Sequence, residues 1–241
     1  MSLCWQVAMA TDTGKRRRIN EDALLCREDA GVWLVADGMG GHDAGDLASK
    51  AIVHALAQVD FRGGVTERLI QFEDTLIDVN TQLRDYARDS LAGRTMGSTV
   101  VALLVFQVWG LCLWVGDSRL YRLRSGKLAQ ISRDHSMWQE LKDRGGAEEL
   151  LQQQADLRSV ITRAVGGHPR LVMDVQLLDI QVGDRYLLCT DGLYTEIPDA
   201  MIEQLMQGDS VEQAKEALLA AALTHGGRDN ISLIVIQAEL K

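Results

Sequence analysis

The sequence predicts an α+β fold in which antiparallel sheets are covered by helices, and three observations carry that prediction. Short apolar runs come in blocks separated by turn-like residues, two consecutive stretches with helical spacing interrupt the blocks, and no Pro/Ser-rich linker or fixed-period repeat divides the chain. Strands that follow one another through short turns pair as antiparallel neighbours, which disfavours a doubly wound α/β sheet.

Trp5 to Ala10, Ala23 to Cys26 and Val32 to Ala36 read as strands, the last two joined by the turn-like Glu28-Asp29-Ala30-Gly31. The period then changes. From Ala44 to Val59 the residues Leu47, Ala51, Val53, Ala55 and Leu56 suit a helix on a core, and Val65 to Leu91 continues with Leu69, Phe72, Leu76, Val79, Leu83 and Tyr86. Strands follow at Thr99 to Phe106, Val108 to Val115, Leu120 to Leu123 and Leu128 to Ile131, the last pair linked by the hairpin signal Ser125-Gly126. Residues 136 to 160 are polar and read as short helices or a mobile flap. Leu171 to Leu178, Arg185 to Cys189 and Ile231 to Ile236 return to strand patterning, with helices near Asp199 to Gln207 and Val211 to Thr224.

At 241 residues, 46% hydrophobic and 24% charged, the chain suits one large core. We therefore expect a single domain over 1–241, with the flap as a subregion at about 136–160. The formal charge of -9 argues against general affinity for nucleic acid or an anionic membrane, both of which need surplus Lys and Arg. Cys4, Cys26, Cys112 and Cys189 are scattered without a C-x-x-C pair and read as reduced thiols. The first residues lack a basic stretch followed by an apolar one, so a cytoplasmic location is expected. Val100 to Val115 is the most apolar run, but its 16 residues contain Gln107 and Gly110, and a membrane span needs roughly 20. Two buried strands joined by a tight turn fit it better.

The chemistry is carried by acidic residues far apart in the chain. Asp37 follows Val32-Trp33-Leu34-Val35-Ala36 and precedes Gly38, and Asp191 follows Tyr186-Leu187-Leu188-Cys189-Thr190 and precedes Gly192. Asp117 repeats the pattern after Leu111-Cys112-Leu113-Trp114-Val115-Gly116, while Asp229 comes just before the apolar run Ile231 to Ile236. A carboxylate at the end of a buried strand can face a shared cleft, and with Asp22 these residues read as a distributed metal site. Carboxylates grouped without Cys or paired His favour Mg2+ or Mn2+ over zinc. Neither a G-x-S-x-G elbow nor a C-x5-R phosphate loop is present, so the commonest covalent routes to ester hydrolysis are unavailable.

The segments Arg17-Arg18-Ile19-Asn20-Glu21-Asp22, Asp37-Gly38-Met39-Gly40-Gly41-His42, Met96-Gly97-Ser98-Thr99, Gly116-Asp117-Ser118-Arg119, Asp134-His135-Ser136, Thr162-Arg163-Ala164-Val165-Gly166, Thr190-Asp191-Gly192 and Arg228-Asp229-Asn230 resemble, in order, the metal-dependent protein phosphatases of type 2C in their bacterial form. Any one segment is a weak signal, but the ordered set spans nearly the whole chain.

This resemblance implies a four-layer α-β-β-α sandwich, two central antiparallel sheets flanked by helices, with a two-metal cleft at one edge. It implies that Asp37 bridges both ions, that the Gly38 carbonyl binds the first, and that Asp191 and Asp229 hold the second. Asp22 would orient waters on the ions, Asp117 with Asp191 would hold a third, weaker ion, and Arg17 would grip the substrate phosphate. Asp134 and His135 are expected to brace the site, Arg163 to anchor the flap and Asn230 to orient Asp229 or its loop. Met39 stands where many eukaryotic relatives place a histidine proposed as general acid, and methionine cannot donate that proton. A metal-bound water or His42 is the alternative source.

The implied activity is hydrolysis of phosphoserine and phosphothreonine in proteins by a metal-activated water, reversing a bacterial Ser/Thr kinase. Two Mn2+ or Mg2+ ions and a third weaker one would be its cofactors, and the kinase and its substrates its partners. We expect a stand-alone monomer. The competing readings are a phosphoprotein-binding pseudo-phosphatase and a metal phosphohydrolase acting on a small ester. Retention of Asp37, Asp191 and Asp229 disfavours the first.

Overall fold

The computed structural model describes residues 3–40, 44–91, 94–145, 157 and 159–241. In chain order the strands are β1 (Leu3–Asp12), β2 (Asp22–Arg27), β3 (Val32–Met39), β4 (Gly97–Ser98), β5 (Val100–Phe106), β6 (Trp109–Val115), β7 (Arg119–Arg124), β8 (Lys127–Gln130), β9 (Asp174–Asp179), β10 (Arg185–Cys189) and β11 (Ile231–Leu240). The helices are α1 (Ala44–Ala57), α2 (Val65–Ser90), α3 (Met137–Asp143), the one-turn α4 (Asp191–Tyr194), α5 (Asp199–Met206) and α6 (Val211–His225). One sheet has the order β1-β11-β10-β7-β8 and the other β2-β3-β5-β6-β9, with β4 beside β3. All these pairings are antiparallel.

Alternation along the strands produces three apolar layers. In β3, Val32, Leu34 and Ala36 face α1 and α2, where they meet Ile52, Leu56, Phe72 and Leu76. Trp33 and Val35 point the other way, into the space between the sheets, against Tyr186, Leu188, Ile234 and Ile236 of β10 and β11. There Trp33 tilts against Trp5 of β1 with ring centroids 5.1 Å apart. The second face of β10 and β11, with Leu187, Cys189, Leu233 and Val235, is covered by α5 and α6 through Ile202, Met206, Ala214 and Leu218. The result is the expected α-β-β-α sandwich.

The turns follow local chemistry. Ser125 and Gly126 both have positive φ, 52° and 77°, as a two-residue hairpin between β7 and β8 requires. The suspected membrane run is the hairpin β5–β6, and among the described residues no helix is long and apolar enough to cross a membrane. Two details differ from expectation. Pairing in β9 begins only at Asp174, because Leu171 and Met173 pack on the α1/α2 core without joining the ladder. The helix α4 follows Thr190 directly and is too short for periodicity to reveal. Of the expected flap, α3 is described, capped by the Ser136 hydroxyl, which accepts from the Gln139 N–H at 3.2 Å. Residues 146–156 and 158 lie outside the described residues.

Candidate active site

The face between the sheets is apolar along most of its length and becomes polar at one end. Continuing the alternation of Trp33 and Val35 gives Asp37; that of Leu24 gives Asp22; that of Leu188 gives Thr190; and that of Ile234 gives Ser232. These residues interlock across the two sheets. Thr190 Oγ1 donates to Asp22 Oδ2 at 2.9 Å and accepts from the Ser232 N–H at 3.0 Å. The Asp37 N–H donates to Thr99 Oγ1 at 3.2 Å, and Thr99 Oγ1 is 2.7 Å from Ser118 Oγ, tying Asp37 to the segment carrying Asp117.

Asp22 and Asp37 are direct partners in the β2–β3 register, an arrangement of like charges that destabilises a sheet unless something else binds them. Two Asp-Gly pairs bring in the remaining chain. A Cβ at Gly38 would lie 2.0 Å from the Gly45 carbonyl oxygen of α1, and one at Gly192 would lie 2.0 Å from that of Asn230. Only glycine permits these approaches, and the second draws the Asp191 and Asp229 loops together.

Arg17, Asp37, Gly38, Asp117, Asp191 and Asp229 all line one cleft of about 330 Å³, and Asp22 is buried behind Asp37. Arg17 Nη2 donates to Asp229 Oδ2 at 2.7 Å, while Asp229 Oδ1 accepts from the Asn230 N–H at 2.8 Å. Asn230 also joins this loop to the N-terminal arm. Its Oδ1 accepts from Glu21 N at 2.9 Å, and its Nδ2 donates to the carbonyls of Thr13 and Ile19 at 2.9 and 3.0 Å.

The cleft carries strong electrostatic frustration. Burial, then Asp22, Asp191, Asp117 and Asp229, push the Asp37 carboxyl well above the usual range. Burial raises Asp22 and Asp117 to about 7, with Asp191 the largest carboxylate contributor for both. Asp191 is raised to about 6 by burial and then by Asp229. Asp22 Oδ1 is moreover buried without a hydrogen-bond partner. Divalent cations relieve all of these costs at once, so the donor set fits hard ions. Among the described residues no group of three His, Cys, Asp or Glu side chains is arranged to hold an ion as it stands, and both Asp229 oxygens are engaged, by Arg17 and by Asn230. Carbonyl and water oxygens therefore have to complete any coordination sphere, as is usual for Mg2+.

The family model for protein phosphatase 2C matches residues 13–225. The chain belongs to the protein phosphatase 2C family. A curated relative, the serine/threonine phosphatase stp of Listeria innocua, is 30% identical over 95% of this chain and 94% of its own length. Among solved structures, PppA, a key regulatory component of T6SS in Pseudomonas aeruginosa, superimposes with TM-score 0.88 at 38% identity, covering 98% of each chain. The catalytic domain of PstP in complex with 2 manganese ions gives TM-score 0.88 at 31% identity over 99% of this chain and 100% of that one. Like other type 2C phosphatases, this protein is a metal-dependent hydrolase of the Mn2+/Mg2+ class.

Supporting residues behave partly as expected. Asp134 binds Arg119 through both oxygens; Arg119 stacks over Tyr194 at 3.6 Å, and the Tyr194 hydroxyl donates to the Asp117 carbonyl at 3.0 Å. His135 accepts from the Gly116 N–H at its Nδ1 over 3.0 Å. Arg163 Nη1 donates to Asp174 Oδ1 at 2.8 Å, because β9 runs alongside β6 and brings that carboxylate within reach, while most of the flap it was expected to anchor lies outside the described residues. His42 lies outside the described residues. Glu21 was hidden in the sequence beside Asp22, yet it lines the cleft, and burial raises its carboxyl. Thr190 and Tyr194 carried no signal of their own beyond adjacency to the Asp-Gly pair.

Proposed function

We propose that this serine/threonine phosphoprotein phosphatase works through the residues converging at the open end of the sandwich. The observation that carries the assignment is the set of mutually repelling carboxylates from both sheets in one cleft that also contains an arginine. Asp37, Asp191, Asp229 and the Gly38 carbonyl would hold two ions, and Asp117 with Asp191 a third. When bound, the ions supply Lewis acidity for activating water and neutralising phosphoryl charge.

The chain's own groups do the rest. Arg17, about half exposed at the mouth of the cleft, is free to turn from Asp229 toward a phosphate, and its planar fork suits two phosphoryl oxygens. Asp22, held by Thr190 through one oxygen, keeps the other for an ordered water and so acts through positioning. Met39 lines the cleft and cannot supply the proton for the leaving alkoxide, which leaves water in the cleft or His42, which lies outside the described residues, as the donor.

The whole of 1–241 acts as one catalytic domain, because Arg17 and Asp229 stand near opposite ends of the chain and meet in the site. Its partners are phosphorylated proteins, chief among them a cognate Ser/Thr kinase and that kinase's substrates, in cytoplasmic signalling. Similarity to PppA supports a regulatory circuit of the kind that protein serves. Turnover of a phosphothreonine peptide with Mn2+, abolished by chelation and restored by re-addition, is the expected result. A protein that binds the peptide without metal-dependent turnover would refute the reading.

A further inference from the structure

Beyond the catalytic cleft the surface continues as a groove. Met39 and Ile161 are shared between the cleft and a second pocket of about 480 Å³, whose floor is apolar through Val115, Leu171 and Val172. Thr95 and Gly167 are in turn shared between that pocket and a third of about 460 Å³. Among the described residues, five arginines, Arg84, Arg88, Arg94, Arg163 and Arg170, and a single carboxylate, Asp85, line the second and third pockets.

This charge is out of character for a chain with net charge -9. Most arginines here are engaged by carboxylates, and within the groove Arg163 pairs with Asp174 and Arg88 with Asp85 and Asp89. Arg84, Arg94 and Arg170 have no carboxylate partner among the described residues. The wall between the two outer pockets is built in advance. Buried Asn80 of α2 accepts from the Gly166 N–H at 2.7 Å and donates to the His168 carbonyl at 3.0 Å, fixing the loop that both pockets share. A preformed groove binds an extended chain without the cost of ordering its own walls.

We propose that this groove is a substrate-selecting subsite: it takes an extended segment of the phosphoprotein on one side of the phosphorylated residue, with an apolar side chain over Leu171 and Val172 and acidic or phosphorylated side chains at Arg84 and Arg94. The proposal rests on the phosphatase reading of the cleft and adds which phosphoproteins it prefers. Acidic groups are favoured because guanidinium groups without a carboxylate partner, Arg94 donating only its Nε to the Leu91 carbonyl at 3.4 Å, give charge-assisted hydrogen bonds to carboxylate and phosphate. Selection at this distance from the reacting phosphate acts on peptide binding and leaves the chemistry of small esters untouched.

The test uses phosphothreonine peptides of equal length with an acidic or a lysine-rich run placed on either the N-terminal or the C-terminal side, together with p-nitrophenyl phosphate. Wild-type protein with Mn2+ is expected to favour the acidic run on one side by roughly tenfold in kcat/KM, an effect that weakens with added salt. The double variant R84E/R94E should lose that preference and keep wild-type p-nitrophenyl phosphate turnover. Equal kcat/KM for acidic and basic peptides in the wild type overturns the subsite, as does a preference that survives in the double variant. Loss of all metal-dependent turnover in the wild type would instead refute the phosphatase reading itself. The wild-type peptide comparison decides the matter even if the double variant fails to fold.

Discussion

Thr190 Oγ1 donates to Asp22 Oδ2 over 2.9 Å, joining the end of β10 in one sheet to the start of β2 in the other. The bond orients a buried carboxylate whose second oxygen has no partner in the protein. Thr190→Val keeps the side-chain shape and removes the donor. We expect weaker Mn2+ activation, with a half-saturating concentration raised about 10-fold or more, as for other outer partners of a metal site. A Mn2+ titration of p-nitrophenyl phosphate turnover checks this, and an unchanged midpoint would show that the hydroxyl only packs.

Asp191→Asn and Asp37→Asn are expected to lower turnover by about a hundredfold or more while the fold persists. Asp191→Asn should also make the chelator-treated protein more stable at pH 7.5, because Asp191, raised to about 6, is still ionised there and its loss removes one charge from a self-repelling cluster. Thermal melts with and without Mn2+ separate the two effects. Added Mn2+ should raise Tm in the wild type and do little in either variant.

The raised carboxyls also set a pH dependence for the metal-free protein. Asp22 and Asp117 at about 7 and Asp191 at about 6 lie above the ordinary carboxylate range near 4, so between these limits the folded state binds more protons than the unfolded chain. Their contribution therefore grows as pH falls from 7.5 toward 5 and is lost as pH rises. His135 acts in the opposite sense, since burial lowers its pKa and the unfolded chain protonates first. Chelator-treated wild type should accordingly gain more Tm on acidification from pH 7.5 to 5.5 than Asp191→Asn does. Equal gains would mean that the carboxylates are not coupled as their placement implies.

Much of this site was legible because it sits where apolar runs stop. Asp37 and Asp191 each close an apolar run and precede a glycine, and the structure explains both halves of that signature: alternation along β3 aims Asp37 between the sheets, Asp191 opens the turn of helix directly after β10, and each glycine admits a neighbouring carbonyl where a Cβ would lie only 2.0 Å from its oxygen. The register that sets Asp22 opposite Asp37 was not legible, since alternation fixes a face and leaves the partner open. Nor could spacing reveal the Asn230 contacts to Thr13, Ile19 and Glu21, which depend on β1 and β11 lying side by side. Where burial came without pairing, as at Leu171 and Met173, the apolar signal overstated the strand.

Arg17→Ala should raise KM for a phosphothreonine peptide roughly tenfold with a smaller change in kcat, reflecting loss of charge-assisted contacts to the phosphate. Because the ion pair to Asp229 is about half exposed, its own worth is below about 1 kcal/mol, so its removal should sharpen Mn2+ affinity only a few-fold. Arg17→Lys restores the charge without the fork and should recover KM in part. Steady-state kinetics at several Mn2+ concentrations distinguish these outcomes, and an unchanged KM in Arg17→Ala would remove the arginine from the phosphate site.

His135 stacks near Trp114 with ring centroids 6.0 Å apart and receives the buried Gly116 N–H, while its Nε2 lies 3.2 Å from Asp174 Oδ2. With Nδ1 accepting, the proton belongs on Nε2, where it faces the carboxylate. His135→Phe preserves the ring and strands the Gly116 N–H, a loss of about 1–3 kcal/mol, and each kcal/mol lowers Tm by about 2–4 °C in a chain of this size. Since Gly116 precedes Asp117, the variant should also need more Mn2+ for full activity, because Asp117 loses its backbone brace. Thermal melting and the Mn2+ titration read these separately. A lower Tm with an unaltered titration would mean that the histidine supports the sheet edge and leaves the position of Asp117 to the Tyr194 hydroxyl and the Thr99–Ser118 contact.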